Sequence, residues 1–481
     1  MRFFCAFTWI RPPQTAAPVY HGRMREPTKH QPYPIAAIKA LSDREAALYT
    51  QQHPRSAALA ARSTHWFTGA PLHWMQDWPL PFPLAIAKAQ GARLTDVDGR
   101  PYADFCLGDT AAMFGHSPAP LAEALSAQVA QGLSAMLPAA ATAEVGELLA
   151  KQFGLAQWQI ATTASDANRF LLRWARAATG RSVVLVFDGC YHGAVDDTQV
   201  ELANGHTQAL PGQVGRVIDV TRTSRVVAFN DVEALRDALA PGDVAAVLCE
   251  PALTNCGMVL PDPGFHTALR ELTHQYGTLL LIDETHTLSA GPQGYTGAFG
   301  LAPDAMVIGK AIAGGVPCAV YGVTESLAGR MHQAWREAGP GRTGIGTTLS
   351  GSLLQIAALH ATLTELITEA HYARMFDRTA HYARRVREVL DRHALDWTLS
   401  VLGARSELQY TDRAPRTARE AASGFDAGLE GLIQLYLLNR GVVLTPFHHM
   451  ALMSPATSLD DVEALVDGLD ACLTELGETP R

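Results

Sequence analysis

Short apolar runs at 158–162, 183–187, 244–249, 279–283, 306–309 and 319–323, with amphipathic stretches between them, limit this chain to few folds. Runs of this length bounded by turn signals read as strands buried on both faces. The intervening stretches at 142–153, 165–178, 231–239, 263–276 and near 310–313 read as helices. Such alternation predicts an α/β chain with a mostly parallel, helix-covered sheet. Ligands of open α/β sheets bind beyond the carboxyl ends of the strands. Two of the runs deliver a polar residue there: Asp283 closes Leu279-Leu280-Leu281-Ile282-Asp283, and Lys310 follows Met306-Val307-Ile308-Gly309.

A carboxylate and a lysine at neighbouring strand ends suit pyridoxal phosphate. The lysine condenses with the aldehyde as a Schiff base, and the carboxylate pairs with the protonated pyridine nitrogen. A strand-end aspartate that caps the next helix, beside a surface lysine, is the plainer reading. The two residues alone leave both open.

Composition removes other classes. A net charge of -9 offers no basic surface for nucleic acid. No apolar run approaches the roughly 18 to 20 residues of a membrane span. The seven cysteines are scattered and form no C-x-x-C pair, against a disulfide framework or a structural zinc site. A reducing cytoplasm is the expected setting, and no metal is expected.

Residues 1–35 read as a disordered leader, within which Met24 is an alternative start. Residues 36–62 read as helical. Residues 68–79, with His73, Trp74 and Trp78, form a Pro-broken loop that is either a surface loop or a pocket wall. Segments 86–95 and 102–107 read as a hairpin around Asp96-Val97-Asp98-Gly99, and 119–132 as a helix. Beyond residue 350 a long helical region runs to about 395, then short strands and a terminal helix at 459–476. The expected division is a large domain over 110–345 and a smaller α+β domain from 36–109 and 346–481.

Six motifs, two of them built on Asp283 and Lys310, occur in order: Thr163-Ala164-Ser165-Asp166-Ala167-Asn168, Cys190-Tyr191-His192-Gly193, Glu250-Pro251, Asp283-Glu284-Thr285-His286, Gly309-Lys310-Ala311-Ile312-Ala313-Gly314-Gly315, and Thr347-Thr348-Leu349-Ser350-Gly351. With them, the chain from about 80 to 470 resembles a class-III aminotransferase, of fold type I. It is most similar to the branch of glutamate-1-semialdehyde aminomutase and the β-amino-acid aminotransferases. The resemblance implies pyridoxal 5'-phosphate as cofactor and a homodimer with shared active sites. It makes Lys310 the Schiff-base lysine and proton carrier, Asp283 the partner of the pyridine nitrogen, and Tyr191 the ring-stacking residue. It adds His192, Glu250, Thr285 and His286 around the ring, and Ala164 and Ser165 at the phosphate. There a helix N-terminus offers free N–H groups to a dianion. Thr348, with Thr347 as its alternative, would reach the phosphate of the partner subunit.

Substrate recognition departs from the family. Asn255 stands where relatives carry a glutamate that shields an arginine, and Leu444-Thr445-Pro446-Phe447-His448-His449 lacks that arginine. Arg405 and Arg342 are candidate anion clamps, and His73, Trp74, His448 and His449 candidate mouth residues. The expected reaction moves an amino group between an amine or amino acid and a keto acid or aldehyde. An aminomutase or an ammonia- or β-eliminating lyase uses the same residues. A non-catalytic cofactor-binding regulator would need a DNA-binding module that 1–80 does not display.

Overall fold

The computed structural model describes residues 32–211, 213–215, 219–446 and 449–478. Its principal sheet has seven strands in the order Gln157–Ala161, Ala319–Val323, Ala305–Ile308, Leu279–Asp283, Val244–Cys249, Val183–Phe187 and Ser224–Val227. All run parallel except Ala319–Val323, which is antiparallel to both neighbours. All five central strands are apolar runs of the sequence, that at 306–309 shifted by one residue, and every residue in those strands is buried. Strands covered on both faces need no alternation, which is why these read as continuous apolar runs. Ser224–Val227 escapes such a reading, because Ser-Arg-Val-Val holds too few apolar residues to announce a strand.

Leu279–Asp283 is the central strand, so its carboxyl end opens at the middle of the sheet edge. Helix Ala164–Thr179 lies on one face and buries Ala167, Phe170, Leu171 and Ala175. Helix Phe265–Gln275 buries Leu269 and Leu272 in a separate core with Phe187 and Phe229.

The two ends of the chain share a second sheet. Ile86–Gln90, Arg93–Asp96 and Pro101–Asp104 are antiparallel in sequence, and Val442–Val443 joins them in parallel beside Pro101–Asp104. A third sheet holds Thr398–Leu402, Arg405–Gln409 and Met450–Leu452. Helix Ile35–Gln52 is tied to helix Ala427–Asn439 by Asn439, whose side chain donates to the Glu45 backbone carbonyl at 2.9 Å.

Several expectations are corrected. The segment 86–95 is two strands, because Gly91 turns the chain at a φ of +58°. The helical stretch 36–62 is two helices, Ile35–Gln52 and Pro54–Arg62, since Pro54 starts a helix but cannot continue one. Residues 353–392 are broken by a π-turn at Thr362–Leu366 and restarted by the Thr368 cap. Helices Glu325–Glu337 and Ala427–Asn439 were not anticipated. The leader through residue 31, including Met24, lies outside the described residues, as does His448; Tyr33, at its expected end, is buried. Among the described residues no helix is long and apolar enough to cross a membrane, and no group of three or more side chains could hold a metal.

Candidate active site

Beyond the carboxyl ends of the central strands lies a cavity of about 300 Å³, the size of a small-molecule site. Asp283 stands at its base. Its Oδ2 accepts from Asn168 Nδ2 at 2.8 Å and lies 2.9 Å from His192 Nδ1, while Oδ1 accepts from the Thr285 N–H at 3.1 Å. Burial by itself would raise this carboxyl. The bonds from His192, Thr285 and Asn168 outweigh it and hold the group below its ordinary value, so Asp283 is an anion.

Lys310 follows strand Ala305–Ile308 and has a left-handed backbone, φ +47°. Its Nζ donates to Asp109 Oδ2 at 2.5 Å and also meets His286 Nε2. A directed chain of hydrogen bonds continues from there. Thr254 donates its hydroxyl to Glu250 Oε2 at 2.5 Å, so it accepts from His286 Nδ1, at 2.8 Å. This assigns the proton to Nδ1 and leaves Nε2 as the acceptor toward Lys310. Burial, then the Lys310 and Arg405 charges, push the His286 imidazole down to about 4, so the ring is neutral at neutral pH. Glu250 Oε1 accepts from the Tyr191 N–H at 3.0 Å, and the Asn255 amide donates to Oε2 at 3.2 Å.

Opposite these groups, helix Ala164–Thr179 begins at the cavity wall. The Thr163 side chain caps it by accepting from the Asp166 N–H at 3.1 Å, which leaves the N–H groups of the first turn for a ligand. Ser165 Oγ accepts from the Ala194 N–H at 3.0 Å. Gly193 is required here: at φ +82° a Cβ on it would lie 2.0 Å from Ser165 Oγ. The loop Tyr191-His192-Gly193 is thereby pressed onto the helix terminus. Tyr191 remains 42% exposed along the cavity wall, unusual for an aromatic this deep in the fold.

The structure thus brings Ala164, Ser165, Tyr191, His192, Glu250, Asn255, Asp283, Thr285, His286 and Lys310 to one cavity. Other candidates lie elsewhere. Thr348 is exposed and off the wall, whereas Thr347 Oγ1 is 3.2 Å from Thr162 Oγ1, which lines it. Arg405 is buried behind the cavity, where it donates to Thr110 Oγ1 and stands 3.9 Å from Glu407. Arg342 stacks on Trp335, 4.5 Å from the ring centroid. Trp74 lies in the short turn His73–Met75, away from the cavity lining, and the side chain of His73 is outside the described residues.

Sequence reasoning missed Asp109 and Thr254. Asp109 arrives on a run of left-handed residues, Leu107, Gly108, Asp109 and Thr110, with φ of +47°, +60°, +50° and +79°. Outside glycine such a conformation costs roughly 1–2 kcal/mol per residue. Only the single glycine signals it in the sequence. Asn168 was legible as part of its motif, though its bond to Asp283 was not.

These residues fit pyridoxal phosphate. An acid is anionic at the cavity base, a primary amine faces the centre, and helix N–H groups stand at the far end for a phosphate. Thr285 Oγ1 and His192 Nε2 are buried without a hydrogen-bond partner, as expected of a wall that waits for a polar ligand.

Comparison with known proteins agrees. The family model "Aminotransferase class-III" matches residues 75–469. A glutamate-1-semialdehyde 2,1-aminomutase of Desulfitobacterium hafniense is 32% identical over 403 residues, 82% of this chain and 92% of that protein. A crystal structure of a glutamate-1-semialdehyde-aminomutase from Pseudomonas aeruginosa PAO1 superposes with a TM-score of 0.90 at 47% identity, covering 92% of this chain and 99% of that one. A variant of that protein is solved in complex with PMP. An omega-transaminase from Sphaerobacter thermophilus gives a TM-score of 0.81 at 26% identity over 88% of this chain and 98% of its own.

Proposed function

Because the chain belongs to the class-III aminotransferase family, a family of pyridoxal-phosphate enzymes of fold type I, we propose that Lys310 is the residue that holds the cofactor. The observation that carries this is the Lys310 amine facing a cavity whose base is the anionic Asp283. The reaction is transfer of an amino group between an amine or amino acid and a keto acid or aldehyde.

Bound pyridoxal phosphate supplies an aldehyde that takes the amino group and a ring that accepts the electron pair released at the substrate carbon. Asp283 gives the pyridine nitrogen a fixed negative partner. Ala164 and Ser165 offer N–H groups to the phosphate. Tyr191 and Thr285 wall the ring and exclude water, with His192 and Glu250 bracing the wall. The freed Lys310 Nζ would carry the proton between the substrate carbon and the cofactor. His286, neutral and held by Thr254, faces that nitrogen without competing for charge.

A homodimer completes the site in this reading, with Thr348 or Thr347 reaching the partner's phosphate. Support comes from Met136, Leu137 and Leu349, which are 82%, 71% and 55% exposed; Leu133, in the same loop as Met136 and Leu137, accepts from the Leu354 N–H at 3.3 Å. Residues 110–345 would form the cofactor domain, with 36–109 and 346–481 as the smaller one. The cytoplasm is the proposed location.

One observation favours an aminomutase as the second reading. Among the described residues no arginine lines the cavity, and Asn255 occupies the place of the family's glutamate. The glutamate-1-semialdehyde-aminomutase at 47% identity supports the same direction. The test is a single-turnover spectrum with a panel of amines and amino acids and no acceptor. Lasting conversion of the cofactor to its amine form, reversed by a keto acid or aldehyde, establishes transamination. Return to the starting spectrum with an isomerised amine establishes the mutase, and return with free ammonia a lyase.

A further inference from the structure

Asp109 stands outside the groups that would hold the cofactor, yet its carboxylate makes an ion pair with the Lys310 amine at 2.5 Å. The side chain is 43% exposed, so it faces the space beside the amine and is not sealed in a core. Its delivery is costly. Leu107, Asp109 and Thr110 are all left-handed, a conformation that persists only where the surroundings enforce it. The enforcement is visible on both sides. Asp104 Oδ1 accepts the N–H groups of Cys106 and Leu107 at 2.9 and 3.0 Å, and Arg405 donates to the Thr110 hydroxyl. A buried arginine is thus committed to holding this turn.

The amine of Lys310 is released during turnover, whenever the substrate's nitrogen has replaced it at the cofactor. We propose that Asp109 is a positioning residue for the reaction: it holds the freed Lys310 amine through the interval in which that amine carries the substrate's proton. The inference rests on Lys310 being the cofactor lysine. In the step, the substrate C–H bond breaks, the proton goes to Nζ, and the bonding pair would be taken up by the ring of the bound cofactor. Nζ becomes an ammonium, and Asp109 accepts a hydrogen bond from it without taking the proton. Nζ then gives the proton up toward the cofactor and is an amine again. With His286 neutral on the other side, Asp109 is the anion that directly balances this transient charge.

The test compares native protein with Asp109→Asn, which keeps shape without charge, and Asp109→Glu, which keeps charge. In cofactor-free protein, trinitrobenzenesulfonate labelling of Lys310 is followed by peptide mass. Asp109→Asn should label about tenfold faster once the charge-assisted bond is gone, and Asp109→Glu should stay near native. In the holoenzyme, with the panel amine that converts native protein, Asp109→Asn should lower kcat by about ten- to a hundredfold with KM little changed. Asp109→Glu should recover part of the loss. Equal labelling in all three proteins at native melting temperature overturns the proposal, as does a loss confined to KM. If Asp109→Asn fails to fold, Asp109→Ser carries the same comparison. Borohydride trapping on a different lysine would refute the function proposed for Lys310, and is read separately from the labelling.

Discussion

His286 sits between an amine and a hydroxyl inside the protein, and its imidazole is pushed down to about 4 against an ordinary value near 6.5. Between those values the unfolded chain binds a proton that the folded chain refuses. Its contribution to stability is therefore complete above about pH 6.5 and is lost as pH falls through about 4, a span on the order of 3 kcal/mol. Melting temperature should fall over that window, and His286→Gln should flatten the fall; an equal slope in the variant would show that other groups carry it. At Lys310 the expectation is categorical. Lys310→Ala should lose borohydride-trapped cofactor and turnover together, and retained turnover would refute its role. Lys310 was singled out in the sequence beside Asp283, because polar residues that close apolar runs are local signals; His286 was singled out only through its family motif. The relay through Thr254 to Glu250 was not, since it depends on which hydroxyl proton points where.

The helix Ala164–Thr179 and the loop ahead of strand Val200–Ala203 act as one clamp at the far end of the cavity. Thr163→Ala removes the cap at a cost of about 1 kcal/mol, and should weaken cofactor binding in proportion, read by equilibrium dialysis. Gly193→Ala is the sharper test. Its Cβ would enter Ser165 Oγ at a left-handed φ, so it should cost about 1–3 kcal/mol in stability and shed cofactor first. Elements of this kind show why much of the sheet was readable and some of the site was not. The runs at 183–187, 244–249, 279–283 and 319–323 match their strands residue for residue, because burial on both faces writes itself into composition. The turn carrying Asp109 is written in backbone angles enforced by Arg405 and Asp104, and only Gly108 betrays it.

At the scale of the whole molecule, the exposed Met136, Leu137 and Leu349 should be covered by a second copy, giving a dimer by sedimentation velocity. Thr348→Ala should then lower cofactor affinity with the dimer intact; a monomer at micromolar concentration would overturn the shared site. The sheet that joins Pro101–Asp104 to Val442–Val443 has a further consequence, in the order of events at the ribosome. The seven-stranded sheet is complete once residue 323 has emerged, so it can form while synthesis continues. The turn that presents Asp109 waits for Arg405, 295 positions after its partner Thr110, and for the strand at 442. A nascent chain released early would therefore carry the lysine and the aspartate at the cavity base but leave Asp109 unplaced. Premature termination should yield a chain in which Asp109 does not reach the Lys310 amine.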